Sequence, residues 1–409
     1  MNQTLSERII SQHTNTLVST GDIAIVDVDA VMATDATAPF ALKAFKEMGG
    51  DKVWNKDKAF LIIDHASPAP NERVANLHKL MRDFARAQGI KLYDVGTGIC
   101  HQLMVENQHV KPGDLFLGAD SHTPTYGALG AFAVGVGSTD LAGVLRTGKT
   151  WLKVPQTVLF TLNGKLAKGV SAKDIILFLI QKTGVEGAVY EAIEFNGTTV
   201  ESMTLASRMV LTNMVAEMGA KTGLVDTKGL QLPYPFEHQH VDESANFRAK
   251  FTFDVSEIRP QIAKPHSPDN VVPIDELLGT KIDAAFIGSC TNARLEDLRS
   301  AADVLRGQKL AVRLIIAPAS KAVFDAALQD GTIQTLTEAG AVFITSGCGP
   351  CVGTHLGVPG DGETVISSTN RNFQGRMGNP KSNIYLASPA VVAAAAVAGE
   401  IVDPSMLGG

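Results

Sequence analysis

Chemistry is most concentrated at the cysteines. Three of the chain's four sit in short Gly-containing segments, Cys290 in GSCTN and Cys348 with Cys351 in GCGPC. Gly347 and Gly349 let backbone amides approach the sulfurs, and Pro350 stiffens the turn. Three thiolates can serve zinc with a fourth ligand, or a 4Fe-4S cluster that normally takes four. A cluster held by only three leaves one iron open to water or substrate. That iron can act as a Lewis acid on a hydroxyl without carrying electrons. Nearby Arg371 and Arg376 suit the carboxylates of such a substrate, because the guanidinium offers planar two-point contact. Cys100, beside apolar Ile99 and without a partner in sequence, reads as packing.

Removing water also takes a proton from carbon and delivers one to oxygen. A His with a carboxylate partner suits the delivery, since the carboxylate orients the ring and favours imidazolium. Asp64 beside His65, Asp120 near His101 or His122, and Glu217 could supply such pairs. Alone, a His after a strand is more often a local hydrogen-bonding residue, and a lone CxxC could be redox, zinc or chance. It is the constellation that carries the reading.

The elements that must position these residues read as α/β units. In the first, β-rich runs at 23–28, 59–63, 91–95 and 114–117 alternate with helical stretches such as 72–88, whose Val74, Leu77, Leu80, Met81 and Phe84 recur at helical spacing. The Gly-rich segment 127–148 reads as a helix packed tightly on backbone or, less favoured, a loop approaching a ligand. In the middle region Ser171 caps a helix that turns Ile175, Ile176 and Leu179 inward, a strand lies near 189–195, and a second helix runs through 201–218. The polar stretch 264–273 has the composition of a linker. Beyond it, β-like runs at 283–288, 310–317, 341–345, 364–368 and 383–387 predict a doubly wound parallel sheet. The expected units are therefore 1–154, 155–273 and 274–409.

Open parallel sheets gather ligands beyond the carboxyl ends of their strands. The residues that follow the expected strands are Asp64 and His65, then His101, then Asp120, Ser121 and His122, and in the third unit Cys290 with Asn292, Cys348 with Cys351, and Asn370 with Arg371 and Arg376. They predict an active site in a cleft between two units.

At ~100–200 residues per domain, a 409-residue chain has room for two to four domains and several cores. With 42 acidic against 36 basic side chains the formal charge is -6, so no net positive field favours nucleic acid or an anionic membrane. Glu7 and Arg8 interrupt the N-terminal apolar residues, against a signal peptide. The longest apolar span, 391–398, falls far short of the ~18 residues that cross a bilayer. Few cysteines argue against an oxidising compartment, and the chain reads as soluble and cytoplasmic.

Eight ordered motifs resemble the aconitase superfamily, and in length and motif the large subunits of its two-subunit hydro-lyases. They are DATAPFALKAF from Asp35, IIDHASP around Asp64, GTGICHQ ending at Gln102, GADSHTPTYGALG from Gly118, NMVAEMGAKTG around Glu217, GSCTNAR, GCGPCVGTH and STNRNFQGRMG. The resemblance implies three α/β domains around a central cleft, without the fourth, swivelling domain of full-length aconitases. It implies one 4Fe-4S cluster on Cys290, Cys348 and Cys351. Asp64 with His65, His101 with Asp120, and His122 with Glu217 would be acid/base and orienting pairs. Gln102, Ser121, Asn292, Asn370, Arg371 and Arg376 would bind substrate or support the cluster. The implied reaction isomerises a hydroxy di- or tricarboxylic acid by loss and return of water. The commonest two-subunit members act on 3-isopropylmalate in leucine biosynthesis, with homocitrate and 2,3-dimethylmalate as alternatives. A separate small subunit is implied as partner, contributing the residues that read the substrate's variable side chain.

A rival of another class is a non-catalytic, cluster-sensing RNA-binding protein, which would need a basic site the charge pattern does not offer. A zinc hydrolase fits the residue types but leaves the arginines and the Asp/His pairs without a joint purpose.

Overall fold

The computed structural model describes residues 2–407, so Met1 and Gly408–Gly409, the outer ends of the expected first and third units, lie outside the described residues. Three parallel or mainly parallel sheets organise the chain. The first has five strands, all parallel, in the spatial order Lys91–Tyr93, Ala59–Ile62, Ala30–Thr34, Leu115–Gly118 and Phe132–Gly135. Helix Glu72–Gln88 packs outside it, held at its start by Asn71, whose side chain accepts from the Val74 amide, and stopped by Gly89 in the left-handed conformation. Its buried residues are His78, Met81, Phe84 and Ala85, while Leu80, expected inward, is exposed.

Two expectations for this region are corrected. The run near 23–28 forms Ile23–Asp27, which pairs antiparallel with Lys149–Lys153 in a separate two-stranded ribbon. The sheet's central strand is instead Ala30–Thr34, buried along its whole length. Segment 127–148 is neither one helix nor one loop: a 3-10 turn Thr123–Leu129 leads into strand Phe132–Gly135 and helix Ser138–Thr147. The tight packing expected there is found at Gly127, where a Cβ would lie 1.5 Å from the Gly223 carbonyl oxygen.

The second sheet holds four parallel strands in the order Thr222–Val225, Ala192–Asn196, Thr157–Asn163 and Ala249–Asp254. Ser171 caps helix Ala172–Thr183 through a capping box with Asp174. The helix expected over 201–218 is broken: Thr198–Ser202 stops, Thr204 caps Leu205–Met214, and a 3-10 turn Val215–Met218 follows.

The third sheet has seven strands. Its five parallel members, Asn383–Leu386, Thr364–Ser367, Ala284–Ile287, Arg313–Ile316 and Val342–Phe343, fall within the five runs expected from sequence. At one edge Gln261–Ala263 and Val271–Pro273 add antiparallel strands, so part of the stretch read as a linker belongs to this sheet. Hydrophobic cores run across the units: Ile175 and Ile176 share one with Phe286, Cys351 and Leu386. Another joins Phe60, Phe116 and Tyr126 of the first unit to Cys290 and Cys348 of the third. No described helix is long and apolar enough to cross a membrane.

Candidate active site

The carboxyl ends of the first and third sheets face one another, and the polar residues that follow their strands meet there. Asp35 comes directly after strand Ala30–Thr34 and organises the next loop. Its Oδ1 accepts from the amides of Asp64 (3.1 Å) and His65 (2.8 Å), and its Oδ2 accepts from the Ala66 amide (2.8 Å) and lies 3.1 Å from His78 Nε2. Burial alone would raise this carboxyl's pKa, but the His78 bond, the charge of His65 and the backbone donors outweigh it and hold the group well below the usual range.

Within that loop Asp64 Oδ1 lies 2.8 Å from His65 Nδ1, and its Oδ2 accepts from the Cys100 amide at 2.7 Å. Across the cleft mouth Asp120 joins two imidazoles: Oδ2 is 3.3 Å from His65 Nε2 and Oδ1 is 2.8 Å from His101 Nε2. Tyr126 Oη stands 3.2 Å from His101 Nδ1. Burial opposes charge on His65, yet the Cys348 sulfur and the two carboxylates raise its pKa well above an ordinary imidazole, and the histidines hold Asp120 well below an ordinary carboxyl.

A second network crosses from the first unit to the middle one and on to the third. His122 Nε2 is 2.9 Å from Glu217 Oε1; Arg371 Nε donates to both Glu217 oxygens at 2.9 Å, and its Nη1 donates to Ser121 Oγ at 3.1 Å. The 3-10 turn after Met214 places Glu217 there. Sequence reasoning expected a carboxylate to favour imidazolium, but at His122 burial and then the Arg371 charge prevail and push the pKa down to about 4. This ring is a neutral partner for Glu217.

Cys290 follows strand Ala284–Ile287, while Cys348 and Cys351 lie at and within the 3-10 turn Gly349–Val352 beyond strand Val342–Phe343; all three are buried and free of disulfides. Arg294 fixes the first loop: its Nη2 donates to the Cys290 carbonyl (2.6 Å) and its Nη1 to the Thr291 carbonyl (2.7 Å). Gly347 lets the second loop reach the first sheet, since a Cβ there would meet the Asp64 carbonyl oxygen at 2.9 Å, and the Cys348 amide donates to that same oxygen at 2.8 Å. Cys290 Sγ receives Asn213 Nδ2 at 3.1 Å and Asn370 Nδ2 at 3.4 Å, while Arg376 Nη2 lies 3.8 Å from Cys351 Sγ. Two N–H groups aimed at one sulfur fit a thiolate better than a thiol. As free thiols, Cys290 is pushed far up by burial and by its two neighbours, and Cys348 rises to about 12, chiefly through burial. Thiols raised in this way ionise only beside a cation, and a soft iron-sulfur or zinc centre matches Cys290 and Cys348 with Cys351 as their neighbour. The residues present therefore fit such a group.

Oxygen, nitrogen and sulfur donors of Asp64, His65 and Cys348 also lie within 4.8 Å of one another. A single ion held by that trio is disfavoured because both His65 nitrogens already face carboxylates. Gln102 is not brought to the cleft: it accepts from Arg294 Nε (3.2 Å) and donates to Glu106 (3.1 Å), which turns it away from Asp120. Asn292 donates to Asp297 (2.9 Å), and its Oδ1 is buried without a partner. Asn370 stands between Cys290 and Cys351. Sequence reasoning passed over Asp35, Asn213 and Arg294, although all three lie inside its motifs. A cleft of about 810 Å³ opens beside Asp120, Ser121 and Arg371.

The sequence and the fold have counterparts among known proteins. The profile of the aconitase family (aconitate hydratase) matches residues 7–399, and the chain belongs to that family. It is 47% identical to the 3-isopropylmalate dehydratase large subunit 1 of Methanopyrus kandleri, over 99% of each chain. It is 48% identical to a Methanosarcina mazei protein named "Probable methanogen homoaconitase large subunit", over 93% of this chain and 99% of that one. Among solved structures, holo aconitase X of Thermococcus kodakaraensis shares the fold, with a TM-score of 0.54 at 16% identity, over 85% of this chain and 84% of that one.

Proposed function

We propose that this chain is the large subunit of a two-subunit hydro-lyase that isomerises a hydroxy dicarboxylic acid, 3-isopropylmalate, by removing and restoring water. We propose further that Cys290, Cys348 and Cys351 hold one 4Fe-4S cluster. The observation that carries the reading is the meeting of three buried thiols, two of which receive N–H donors, with the Asp64–His65–Asp120–His101 chain, His65 standing 4.0 Å from Cys348 Sγ. Bound there, the cluster would supply an electrophilic iron to the substrate's hydroxyl.

The chain's own residues account for the rest. His65 stands 4.0 Å from Cys348 Sγ, with Nδ1 fixed by Asp64 and a longer, looser contact from Nε2 to Asp120. The proton on Nε2 is therefore the one available to a departing hydroxyl, and Asp120 holds the His65 and His101 rings in one hydrogen-bonded chain. Arg371, held flat by Glu217, keeps Nη1 at the cleft edge, where it can meet a carboxylate beside Ser121. Arg376, with a buried Nε lacking a partner, is a second candidate for that contact.

The relatives' names support a separate small subunit, and three units near 2–154, 155–260 and 261–407, the last boundary set by the strands Gln261–Ala263 and Val271–Pro273 of the third sheet, suit a body that such a subunit completes. Anaerobic reconstitution of the chain with the small subunit of the same organism, followed by a panel of hydroxy diacids and triacids, tests this. Turnover of 3-isopropylmalate is expected, and interconversion must pass through an unsaturated acid. Preference for homocitrate would move the chain to the homoaconitase side, and no dehydration of any panel member would overturn the proposal.

A further inference from the structure

Lys173 is fully buried, and the chemistry described above makes no use of it. It stands at the second position of helix Ala172–Thr183, directly behind the loop that follows strand Thr364–Ser367. Its Nζ donates to the backbone carbonyls of Ser368 (3.0 Å) and Thr369 (2.6 Å), the two residues before Asn370 and Arg371. These partners are neutral. A buried ammonium resting on carbonyls alone is costly, because desolvation is only partly offset. Burial accordingly pushes this lysine down to about 7, while Asp297, Cys351, Asp174 and Cys290 are the nearby groups whose negative charge would favour the cation. Two of those four are proposed cluster ligands.

We propose that Lys173 is a positioning residue with two effects, anchoring the loop that carries Asn370 and Arg371 and placing a buried positive charge behind the Cys290 and Cys351 sulfurs that Asn370 touches. The proposal rests on the cluster assignment above. The reciprocity is physical: thiolates around a metal stabilise the ammonium, and the ammonium stabilises the thiolates. A methionine could occupy similar volume, but it would leave two carbonyls without a donor and remove the charge. A glutamine would keep an N–H donor without the charge, on a chain one atom shorter that also carries a carbonyl oxygen.

The test compares K173M and K173Q with the wild-type chain, each purified anaerobically and assayed with the small subunit. Three readouts are taken: the cluster's midpoint potential by mediated EPR titration, the rate of iron loss to a chelator, and KM against kcat. Both variants are expected to show a lower potential and faster iron loss, since each lacks the charge. K173M is also expected to raise KM more than K173Q, since only it frees the Asn370–Arg371 loop. Should K173M not fold, K173Q alone decides the electrostatic half, and its KM beside wild type decides the anchoring half. Unchanged potential and iron loss in K173Q would overturn the charge role. A KM in K173Q raised more than tenfold, or in K173M equal to wild type, would overturn the anchoring role. Absence of iron from the wild-type chain would instead strike the cluster assignment, so the two failures remain distinct.

Discussion

At His122 two influences compete. Glu217 draws a proton toward the ring, while burial and the Arg371 guanidinium on the same carboxylate repel it, and the ring stays neutral above its lowered pKa of about 4. Removing the guanidinium charge in R371Q should raise the His122 pKa toward the ordinary imidazole range. An NMR pH titration of the ring Cε1–H in iron-free protein checks this, and an unchanged midpoint would contradict it. The conservative R371K keeps the charge but loses the two-oxygen grip on Glu217. It should retain full iron content while kcat/KM falls by about tenfold or more. Steady-state kinetics beside iron analysis separate this from a folding defect.

Among elements, the close approach between the 3-10 turn Thr123–Leu129 and strand Thr222–Val225 locks the first unit to the second. Thr212 and Asn213 add hydrogen bonds to Thr125. G127A should cost about 3 kcal/mol or more, because its methyl would collide with backbone that cannot yield; urea denaturation measures it. The N-terminal helix Leu5–Thr14 is docked differently, with Glu194 Oε1 accepting from the Ser6 amide while burial raises the carboxyl's pKa to about 8. A group whose folded pKa exceeds its unfolded value, ~4.3 for glutamate, stabilises the fold below the lower value, and that contribution disappears as pH rises through the higher one. E194Q should therefore match wild type at pH 4 and exceed it in stability by about a few kcal/mol at pH 9. Denaturation midpoints at the two pH values provide the check, and parallel curves would count against it.

The same scale explains what sequence could and could not reveal. The five parallel strands of the third sheet are short apolar runs bounded by turn residues, and each was visible. Strand Ala30–Thr34 lies just beyond a similar run and is buried on both faces, so no alternation marked it. Asp35 stands at the carboxyl end of that strand, so its place in the site is legible only once the strand is. Asn213, Arg294 and Lys173 act through partners 77, 3 to 4 and 195 to 196 residues away, on sulfur and carbonyl atoms. Gln102 takes Arg294 and Glu106 as partners, which position in a motif does not reveal, since it does not say which side of a helix a residue takes.

For the whole molecule, the charge of -6 and the absence of a basic stripe from the motifs weigh against an RNA-binding regulator. A gel-shift titration of iron-free protein at low salt should show no complex, and salt-sensitive binding would revive that rival. The large-scale arrangement matters more: two sheets from different parts of the chain bring the thiols and the proton-transfer residues together, with Cys348 touching both through the Asp64 carbonyl and His65. The most direct measurement is iron and sulfide analysis with visible spectroscopy on anaerobically purified wild type, C100S, C290S, C348S and C351S. About four iron per chain and broad absorbance near ~400 nm are expected in wild type and C100S, with loss in each of the other three. Retention of the cluster by all three of those variants, or full activity from iron-free, zinc-loaded protein, would contradict the account.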